Sequence, residues 1–319
     1  MVEPVTISIE LLKLFGGLVY LLVGGDILVR GALGLAHRAG VPPLVIGLTI
    51  VAAGTSMPEL MVSVFAALDG YGDIAVGNVV GSNIINVLVV LGLPVLVFPA
   101  HTDEGMVARE SAFMVLVTVL FIGLCFTAPL GTVHGLALLS VLAVGLLLAL
   151  RHSGGTASEE ADTEFRRVLG LPTSVHMITI FVVLGIAALP IGADLTVEAA
   201  VSIAQWMGVS QAVIGVTIVA VGTSLPELST TLIGALHRSS GVALGNVVGS
   251  NIFNVLGIMG ITSLITTVPV AEQFMRYDVW VMLAVAVLMW VYACFVKVIG
   301  RVSGLVFIGL YALYIFGLF

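Results

Sequence analysis

The stretch Gly54-Thr55-Ser56-Met57-Pro58-Glu59-Leu60 decides the fold, because the chain carries it a second time as Gly222-Thr223-Ser224-Leu225-Pro226-Glu227-Leu228. Each copy lies inside a long apolar run, which a carboxylate, two hydroxyls, a glycine and a proline interrupt. An ionisable residue inside a membrane segment indicates a functional site. Two of them, in matching interrupted helices, predict one site near the middle of the bilayer.

The composition indicates an integral membrane protein. Of the 319 residues, 60% are hydrophobic and 9% are charged, and the mean hydropathy is +1.23. A soluble protein has about 45–50% apolar and about 25% charged residues, so this chain could not cover its surface with polar groups. The net charge of −7 argues against a nucleic-acid partner. The apolar runs have the length of membrane helices and not of barrel strands.

These runs predict an all-α fold with ten membrane-spanning helices. Their expected bounds are 8–33, 43–68, 73–98, 107–128, 131–151, 172–196, 211–236, 241–268, 277–297 and 302–319. Between the fifth and the sixth lies a polar stretch rich in glycine, serine, threonine and acidic residues, which is typical of a solvated linker. We therefore expect a first five-helix repeat at 1–151, a linker at 152–171 and a second five-helix repeat at 172–319.

The two halves repeat with a constant shift of 168 residues, the distance from Gly54 to Gly222. Residues 44–63 agree with their counterparts at 13 of 20 positions, and residues 75–92 agree at 13 of 18. The shift also aligns rare polar residues, which shared apolar composition would not do. The aligned polar pairs are Asp26 and Asp194, Glu59 and Glu227, Asn86 and Asn254, and Glu110 and Asp278.

Five helices per half is an odd number, so the second half must enter the membrane from the side opposite the first. We therefore expect inverted repeats, with broken helices at the bilayer midplane. Basic residues favour the cytoplasmic side. With the amino terminus outside, that side collects Arg30, Arg38, Arg109, Arg151, Arg166, Arg167, Arg238, Lys297 and Arg301, against Lys13 and Arg276 on the other. This bias places both termini outside and the linker 152–171 in the cytoplasm.

Proline explains why a helix should break at the first motif. Pro58 has no N–H to donate to the preceding turn, and it disfavours helical angles at Met57. The break should leave free backbone carbonyls in residues 52–55. Ser56 and Glu59 also fit a capping box, in which Glu59 would only satisfy the first N–H groups of the next half-helix. Because a charge at the bilayer centre costs about 3 kcal/mol or more, we favour the carboxylates as cation ligands.

A second repeated stretch, Gly-Asn-Val-Val-Gly-Ser-Asn-Ile, supplies further polar groups at residues 77–84 and 245–252. In each copy a serine and an asparagine four residues later share one helix face. They are Ser82 with Asn86, and Ser250 with Asn254. Their oxygens could face the broken helices, or they could only join packed helices. The glycines of this stretch, with Asn78 and Asn246, are interpreted as packing residues.

Together these residues form an all-oxygen donor set without histidine or cysteine. Hard cations such as Ca²⁺ and Na⁺ prefer such ligands, whereas zinc and copper prefer nitrogen or sulfur. One Ca²⁺, or several Na⁺ that share the same oxygens, would neutralise two carboxylates. Competition for shared carboxylates is a physical basis for exchange if only the loaded site can change sides.

Other polar residues carry less information. Asp26 is followed four residues later by Arg30, with which it can pair inside a helix, whereas Asp194 has no such partner. Both aspartates are interpreted as structural residues near helix ends. Glu110 and Asp278 are expected to begin helices. No function is assigned to the six histidines.

The doubled motifs resemble the alpha-repeats of the sodium/calcium exchangers, in the cation/calcium antiporter superfamily, over nearly the whole chain. The resemblance implies that each motif glutamate binds Ca²⁺ and that the adjacent threonine offers its backbone carbonyl. It also implies that the neighbouring serine, and the carbonyl three residues before the threonine, bind Na⁺, and that the second motifs complete the site. The implied residues are Glu59, Glu227, Thr55, Thr223, Ser56, Ser224, Ala52, Ala220, Ser82, Asn86, Ser250 and Asn254.

Two departures bear on the coupling ion. In potassium-dependent members of the family an acid at the position of Asn254 is linked to K⁺ use, so this asparagine argues against K⁺ coupling. The proton-coupled branch has Glu where this chain has Gly81 and Gly249, which disfavours H⁺ coupling.

The primary hypothesis is a secondary antiporter of the cell membrane that exchanges Ca²⁺ for Na⁺ by alternating access. The resemblance implies that the first and sixth helices slide across a fixed polar core. An H⁺-coupled Ca²⁺ antiporter and a cation channel remain alternatives. An intramembrane hydrolase would need a nucleophile–base pair or metal-binding histidines, so we expect no enzyme. The expected partners are the two ions and the lipid bilayer, with no cofactor and no obligatory protein partner.

Overall fold

The computed structural model describes residues 4–102, 105–127, 129–152, 170–207 and 220–317. Most of the expected linker 152–171 lies outside the described residues. So do the first part of the expected seventh helix at 211–236 and both ends of the chain.

The described residues are mostly helical and follow the predicted order. The helices are α1 Pro4–Ala39, α2 Pro43–Thr55, α3 Met57–Leu68, α4 Gly72–Val95, α5 Gly105–Cys125, α6 Thr132–His152, α7 Val175–Trp206, α8 Ala220–Gly222, α9 Leu225–Leu236, α10 Ser240–Ile265, α11 Phe274–Phe295 and α12 Arg301–Gly317. Among the described residues, seven helices are long and apolar enough to cross a membrane, and the bent pair α2–α3 is an eighth candidate span. A multi-pass helical membrane protein is thus confirmed, whereas the ten-helix inverted repeat stays a prediction.

The helices α1 and α7 are longer than predicted. They contain 36 and 32 residues, or about 54 and 48 Å at 1.5 Å per residue, whereas the hydrocarbon core is about 30 Å thick. Asp26 and Asp194 therefore lie inside these helices, and the prediction that they lie near helix ends is wrong. The sequence predicts helix ends at residues 33 and 196, whereas α1 and α7 continue to Ala39 and Trp206.

The first predicted break is confirmed, with a bend of 46° between α2 and α3. The irregular residue is Ser56, with φ −83° and ψ 12°. Met57 is already helical, so the expected distortion lies one residue earlier than predicted. Proline at the second position of a helix loses no hydrogen bond, because that N–H has no acceptor within the helix. The second motif repeats the arrangement, with Ser224 (φ −90°, ψ 8°) before α9.

Two long helices contain a wider, π-helical turn at matching positions. It spans Asn86–Leu91 in α4 and Asn254–Ile258 in α10. A π-helical turn holds one surplus residue and frequently marks a functional site. Both turns begin at an asparagine of the predicted cation site.

The predicted helical class agrees with the described residues, which also contain one short strand pair and one bridge. Two short antiparallel strands, β1 Ala100–His101 and β2 Val298–Ile299, pair the loops that follow α4 and α11. A single bridge joins Leu130 to Val268. Each contact joins loops that the sequence assigns to the same side of the membrane. Two residues per strand are too few for a hydrophobic alternation, so the sequence gives no sign of them.

Helices α1 and α7 pack against each other at close range through glycines. A Cβ atom on Gly185 would lie 2.8 Å from the backbone of Leu28, and one on Gly192 would lie 2.9 Å from the backbone of Leu21. Small residues allow such close approach of helices in membranes. Large apolar side chains such as Phe15 are exposed on the outward face, as contact with lipid requires.

Candidate functional site

The two motif carboxylates lie in the interior of the protein. Glu59 and Glu227 stand in the first turns of α3 and α9, directly after the two breaks, and both are 0% exposed. Neither forms an ion pair with a lysine, arginine or histidine of the described residues. Since a buried charge without a partner is strongly destabilising, these carboxyl groups require a compensating cation or a proton.

A hydrogen bond across the repeats replaces the capping box that Ser56 and Glu59 could have formed. Ser56 Oγ donates to Glu227 Oε1 at 3.0 Å, a contact between residues 171 positions apart. Ser56 makes no side-chain capping bond to α3. The capping interpretation of this motif is therefore wrong, because its hydroxyl serves the opposite repeat.

The site contains buried oxygens that no described residue contacts by a hydrogen bond. They are both carboxylate oxygens of Glu59, Glu227 Oε2, Ser224 Oγ, Asn86 Oδ1 and Asn254 Oδ1. Buried polar atoms in proteins nearly always have partners. Six buried oxygens without a hydrogen-bond partner, in one predicted site, fit a bound cation.

Thr55 connects the first motif to α10. It is fully buried, and its Oγ1 donates to Asn246 Oδ1 at 3.1 Å and lies 3.5 Å from Ser250 Oγ. The same hydroxyl lies 3.2 Å from the backbone carbonyl of Ala52, which also accepts from Ser56 N at 3.0 Å. The expected free carbonyl at Ala52 is thus already engaged, because the helix continues through residue 55.

The asparagines interpreted as packing residues hold the site glutamates in place. Asn78 Nδ2 donates to the backbone carbonyl of Glu59 at 3.0 Å and to Ser63 Oγ at 2.9 Å. In the second repeat, Asn246 Nδ2 makes the equivalent bonds to Glu227 O and Thr231 Oγ1, at 3.1 and 3.0 Å. Their register in both halves was the signal that could have revealed this role.

Asn83 and Asn251, which were not assigned to the site, lie between the two repeats. Asn83 Nδ2 donates to the carbonyl of Asn251 at 3.2 Å, and Asn251 Nδ2 donates to the carbonyl of Asn83 at 3.1 Å. Asn254 Nδ2 also donates to Asn83 Oδ1, at 3.0 Å. This bond leaves the oxygen of Asn254 available to a cation.

The remaining predicted residues fall into two groups. Ser82, Asn86 and Ser250 are buried, in α4 and α10 as predicted. Thr223 is half-buried in the turn before Ser224, and Ala220 begins the short helix α8. The described contacts join Ser56 to Glu227 and Thr55 to Ser250, but none of them joins Ser82 to another predicted residue.

The donor chemistry of the cluster is that of a hard-cation site. Its ligands would be carboxylate, hydroxyl and amide oxygens, the set that Ca²⁺ and Na⁺ prefer. Each broken helix places a carboxylate in the interior, and the asparagine bonds fix its backbone. The cluster can therefore hold cations away from both membrane surfaces.

The sequence matches the sodium/calcium exchanger protein family over residues 10–151 and 177–319. The sodium/calcium exchanger MaX1 of Methanosarcina acetivorans is 34% identical over 347 aligned positions, which cover 98% of this chain and 99% of MaX1. The inner membrane protein YrbG of Escherichia coli is 35% identical over 275 positions, 85% of each chain.

The fold is also similar to solved structures of the sodium-calcium exchanger NCX_Mj. One, soaked with Na⁺ and Ca²⁺, superposes with a TM-score of 0.81 at 29% identity and covers 96% of this chain and 97% of that chain. Another, soaked with Na⁺ and Sr²⁺, gives a TM-score of 0.82. The repeated motifs, the buried carboxylates and the family match agree, and the chain belongs to the sodium/calcium exchanger family.

Proposed function

We propose that this protein is a secondary antiporter that exchanges Ca²⁺ for Na⁺ across the cell membrane by alternating access. The observation that carries the proposal is the pair of fully buried glutamates, Glu59 and Glu227, without basic partners among the described residues. The family match, with the names of MaX1 and NCX_Mj, supports the choice of ions.

The proposed ligands are those that the resemblance to the sodium/calcium exchangers implies. Ca²⁺ would bind between Glu59 and Glu227, and Na⁺ would share these carboxylates with the neighbouring hydroxyl and carbonyl oxygens. The full set comprises Ala52, Thr55, Ser56, Glu59, Ser82, Asn86, Ala220, Thr223, Ser224, Glu227, Ser250 and Asn254. Because both ions need the same carboxylates, one displaces the other, and their fluxes are coupled when only the loaded site can change sides.

Alternating access requires a moving part and a fixed part. The moving part would be the pair α1 and α7, whose backbones contact each other closely at Gly185 and Gly192. Where α7 faces the first helix break, the contact is apolar, since a Cβ atom on Gly54 of α2 would meet the side chain of Ile186 of α7. An apolar surface of this kind can slide without the loss of many hydrogen bonds.

The orientation is part of the proposal. Both termini would lie outside and the linker 152–171 in the cytoplasm, as the distribution of basic residues predicts. A single cysteine, S158C in a C125A/C294A background, tests it with a membrane-impermeant thiol reagent. We expect labelling in inside-out vesicles and none in sealed right-side-out vesicles; the reverse would invert the topology.

The decisive experiment is ⁴⁵Ca²⁺ uptake into proteoliposomes loaded with Na⁺, with K⁺, or with choline under a pH gradient. We expect uptake only with internal Na⁺, and loss of uptake in E59Q. The matched control is E110Q, which removes another buried carboxylate, one that pairs with Arg109 at 2.8 Å. Uptake driven by the pH gradient alone would make the protein an H⁺-coupled antiporter, and uptake without any counter-ion would make it a channel.

A further inference from the structure

A hydrogen bond between a histidine and an aspartate connects the proposed moving helix α1 to the broken helix of the second repeat. His237 Nε2 lies 2.6 Å from Asp26 Oδ1, and Arg30 Nε donates to Asp26 Oδ2 at 2.7 Å. His237 terminates α9, at the end that the sequence assigns to the cytoplasm. The Asp26 and Arg30 side chains are about one-third exposed and that of His237 is 19% exposed, so water and protons reach the pair.

Polar and apolar contacts continue the same interface toward the bilayer centre. Ser229 Oγ of α9 donates to the backbone carbonyl of Leu21 at 2.6 Å. Ile233 is 7% exposed and packs with Val29 and Leu33 of α1. The cytoplasmic half of α1 is therefore in contact with α9 over about two turns, and Asp26–His237 is the charged contact within this interface.

The repeat shift of 168 residues shows that the contact is specific to one side. The counterpart of Asp26 is Asp194, that of Arg30 is Glu198 and that of His237 is Asp69. These three acidic residues are exposed and form no ion pair with any described residue. Like charges repel, so the outer side has no equivalent attraction. Of the three positions, only the aspartate is the same in both repeats, and the two basic residues are replaced by acidic ones.

We propose that Asp26, Arg30 and His237 form a proton-dependent latch on the cytoplasmic side. Protonation of His237 strengthens the contact between α1 and α9 and disfavours the conformation that is open to the cytoplasm. The inference rests on the proposed alternating access, because it assumes that α1 moves relative to α9. It concerns regulation of the transport cycle and not the ion site.

The physical basis is the change in character of one hydrogen bond. Neutral histidine donates an ordinary hydrogen bond to Asp26, whereas the imidazolium makes a charge-assisted bond of about twice the strength. Arg30 also neutralises Asp26, but both residues belong to α1. His237 alone of the three crosses to the other helix, so its charge decides how firmly the two helices hold together.

Several other charged or titratable groups belong to the segments around His237. His101 lines a cavity with Ala235 of α9 and the exposed Arg238, and α1 ends in His37 and Arg38. Helix α7 contributes the exposed His176 at its first turn, with Asp194 and Glu198 toward the predicted outer side. The remaining segments that pack against α9, residues 52–55, 86–95 and 240–253, contain no titratable side chain. Asp26 is therefore the acidic group that responds directly to protonation of His237.

The latch predicts an effect on cytoplasmic Ca²⁺. A ligand that binds only one conformation has an apparent dissociation constant that rises as that conformation becomes less populated. Acidification of the cytoplasmic side from pH 8 to pH 6, the range in which histidines titrate, should raise the half-saturating Ca²⁺ concentration about threefold for a partly exposed pair. Acidification of the outer side should not act through this latch.

The first test compares wild type with H237Q in vesicles of defined orientation, with pH varied on the cytoplasmic side only. Glutamine keeps an N–H donor but does not titrate in this range. Protonation of the site glutamates affects both proteins equally, so the difference isolates His237. We expect the threefold shift in wild type and its loss in H237Q, with D69N, the change at the repeat counterpart, retaining it. Equal shifts in wild type and H237Q would overturn the latch.

The second test needs no ion flux, so it separates failure of the latch from failure of the proposed function. In a C125A/C294A background, I233C places a thiol in the buried contact between α1 and α9. At pH 6, an impermeant methanethiosulfonate reagent on the cytoplasmic side should label I233C about threefold more slowly than I233C/H237Q. Equal rates would overturn the latch even if Ca²⁺ exchange were established, whereas the expected rates without exchange would overturn only the transport proposal.

Discussion

The Asn83 and Asn251 side chains each donate a hydrogen bond to the backbone carbonyl of the other, at 3.2 and 3.1 Å. The two residue numbers differ by 168, the shift that relates the repeats. A reciprocal contact between equivalent residues is what a two-fold axis produces. These asparagines therefore lie where such an axis between the repeats would pass, beside the site that both repeats build.

The reciprocal pair gives a prediction about stability. N83A should destabilise the protein more than N251A, by about 1 kcal/mol. Asn83 Oδ1 also accepts from Asn254 at 3.0 Å, and that donor would lose its partner only in N83A. Thermal unfolding of both variants in detergent measures the difference. Equal destabilisation would mean that the Asn254 bond contributes nothing.

The glutamates predict opposite effects of one substitution on stability and on binding. In ion-free buffer, E59Q should not lower the melting temperature, because it removes a buried charge that no described residue neutralises. Ca²⁺ at a hundred times its dissociation constant should stabilise wild type by about 2.7 kcal/mol, and E59Q should lose this stabilisation. E110Q is the control that keeps it. A persistent Ca²⁺ effect in E59Q would exclude Glu59 as a ligand.

The two motif serines should not be equivalent. S56A removes the donor to Glu227 Oε1 and should cost about 1–3 kcal/mol in ion-free buffer. Ser224 Oγ has no hydrogen-bond partner among the described residues, so S224A should change stability by less than about 0.5 kcal/mol. Unfolding midpoints of the pair, measured in choline with a chelator, test this asymmetry. A larger loss in S224A would contradict it.

One glycine of the second repeated stretch should tolerate no side chain. A Cβ atom on Gly249 would lie 2.6 Å from the Cα and carbonyl oxygen of Leu48, so α10 would have to move away from α2. We expect G249A to cost about 1–3 kcal/mol and to reduce ⁴⁵Ca²⁺ exchange at least tenfold, because Ser250 would move with it. The control is G309A, at an exposed position where no described atom lies within 4 Å. Wild-type exchange in G249A would contradict the close contact.

Local patterns predicted the parts of the site that depend on residue type. Pro58 and Pro226 indicated the breaks, and the apolar runs indicated that Glu59 and Glu227 would be buried. Contacts between residues far apart in sequence left no such signal. The bond from Ser56 to Glu227 could not be distinguished from a local cap, since the same Ser-x-x-Glu spacing serves both.

The ends of α1 and the partner of His237 were missed for the same reason. A charged residue such as Asp26 reads as a helix end when its partner lies 211 positions away. The asparagines Asn78 and Asn246 were recognised as repeated but not as the groups that hold the glutamate backbone. Sequence periodicity identifies the buried face of a helix, but it does not identify what lies opposite.

The short strand pair β1–β2 and the Leu130–Val268 bridge have a mechanical consequence. Both fasten the first repeat to the second, one at each predicted membrane surface. Because the two repeats are joined at both membrane surfaces, a hinge opening between them would have to break one of these strand contacts. In the described part of the chain, neither strand contact involves α1 or α7. A sliding motion of these two helices therefore leaves both strand contacts intact.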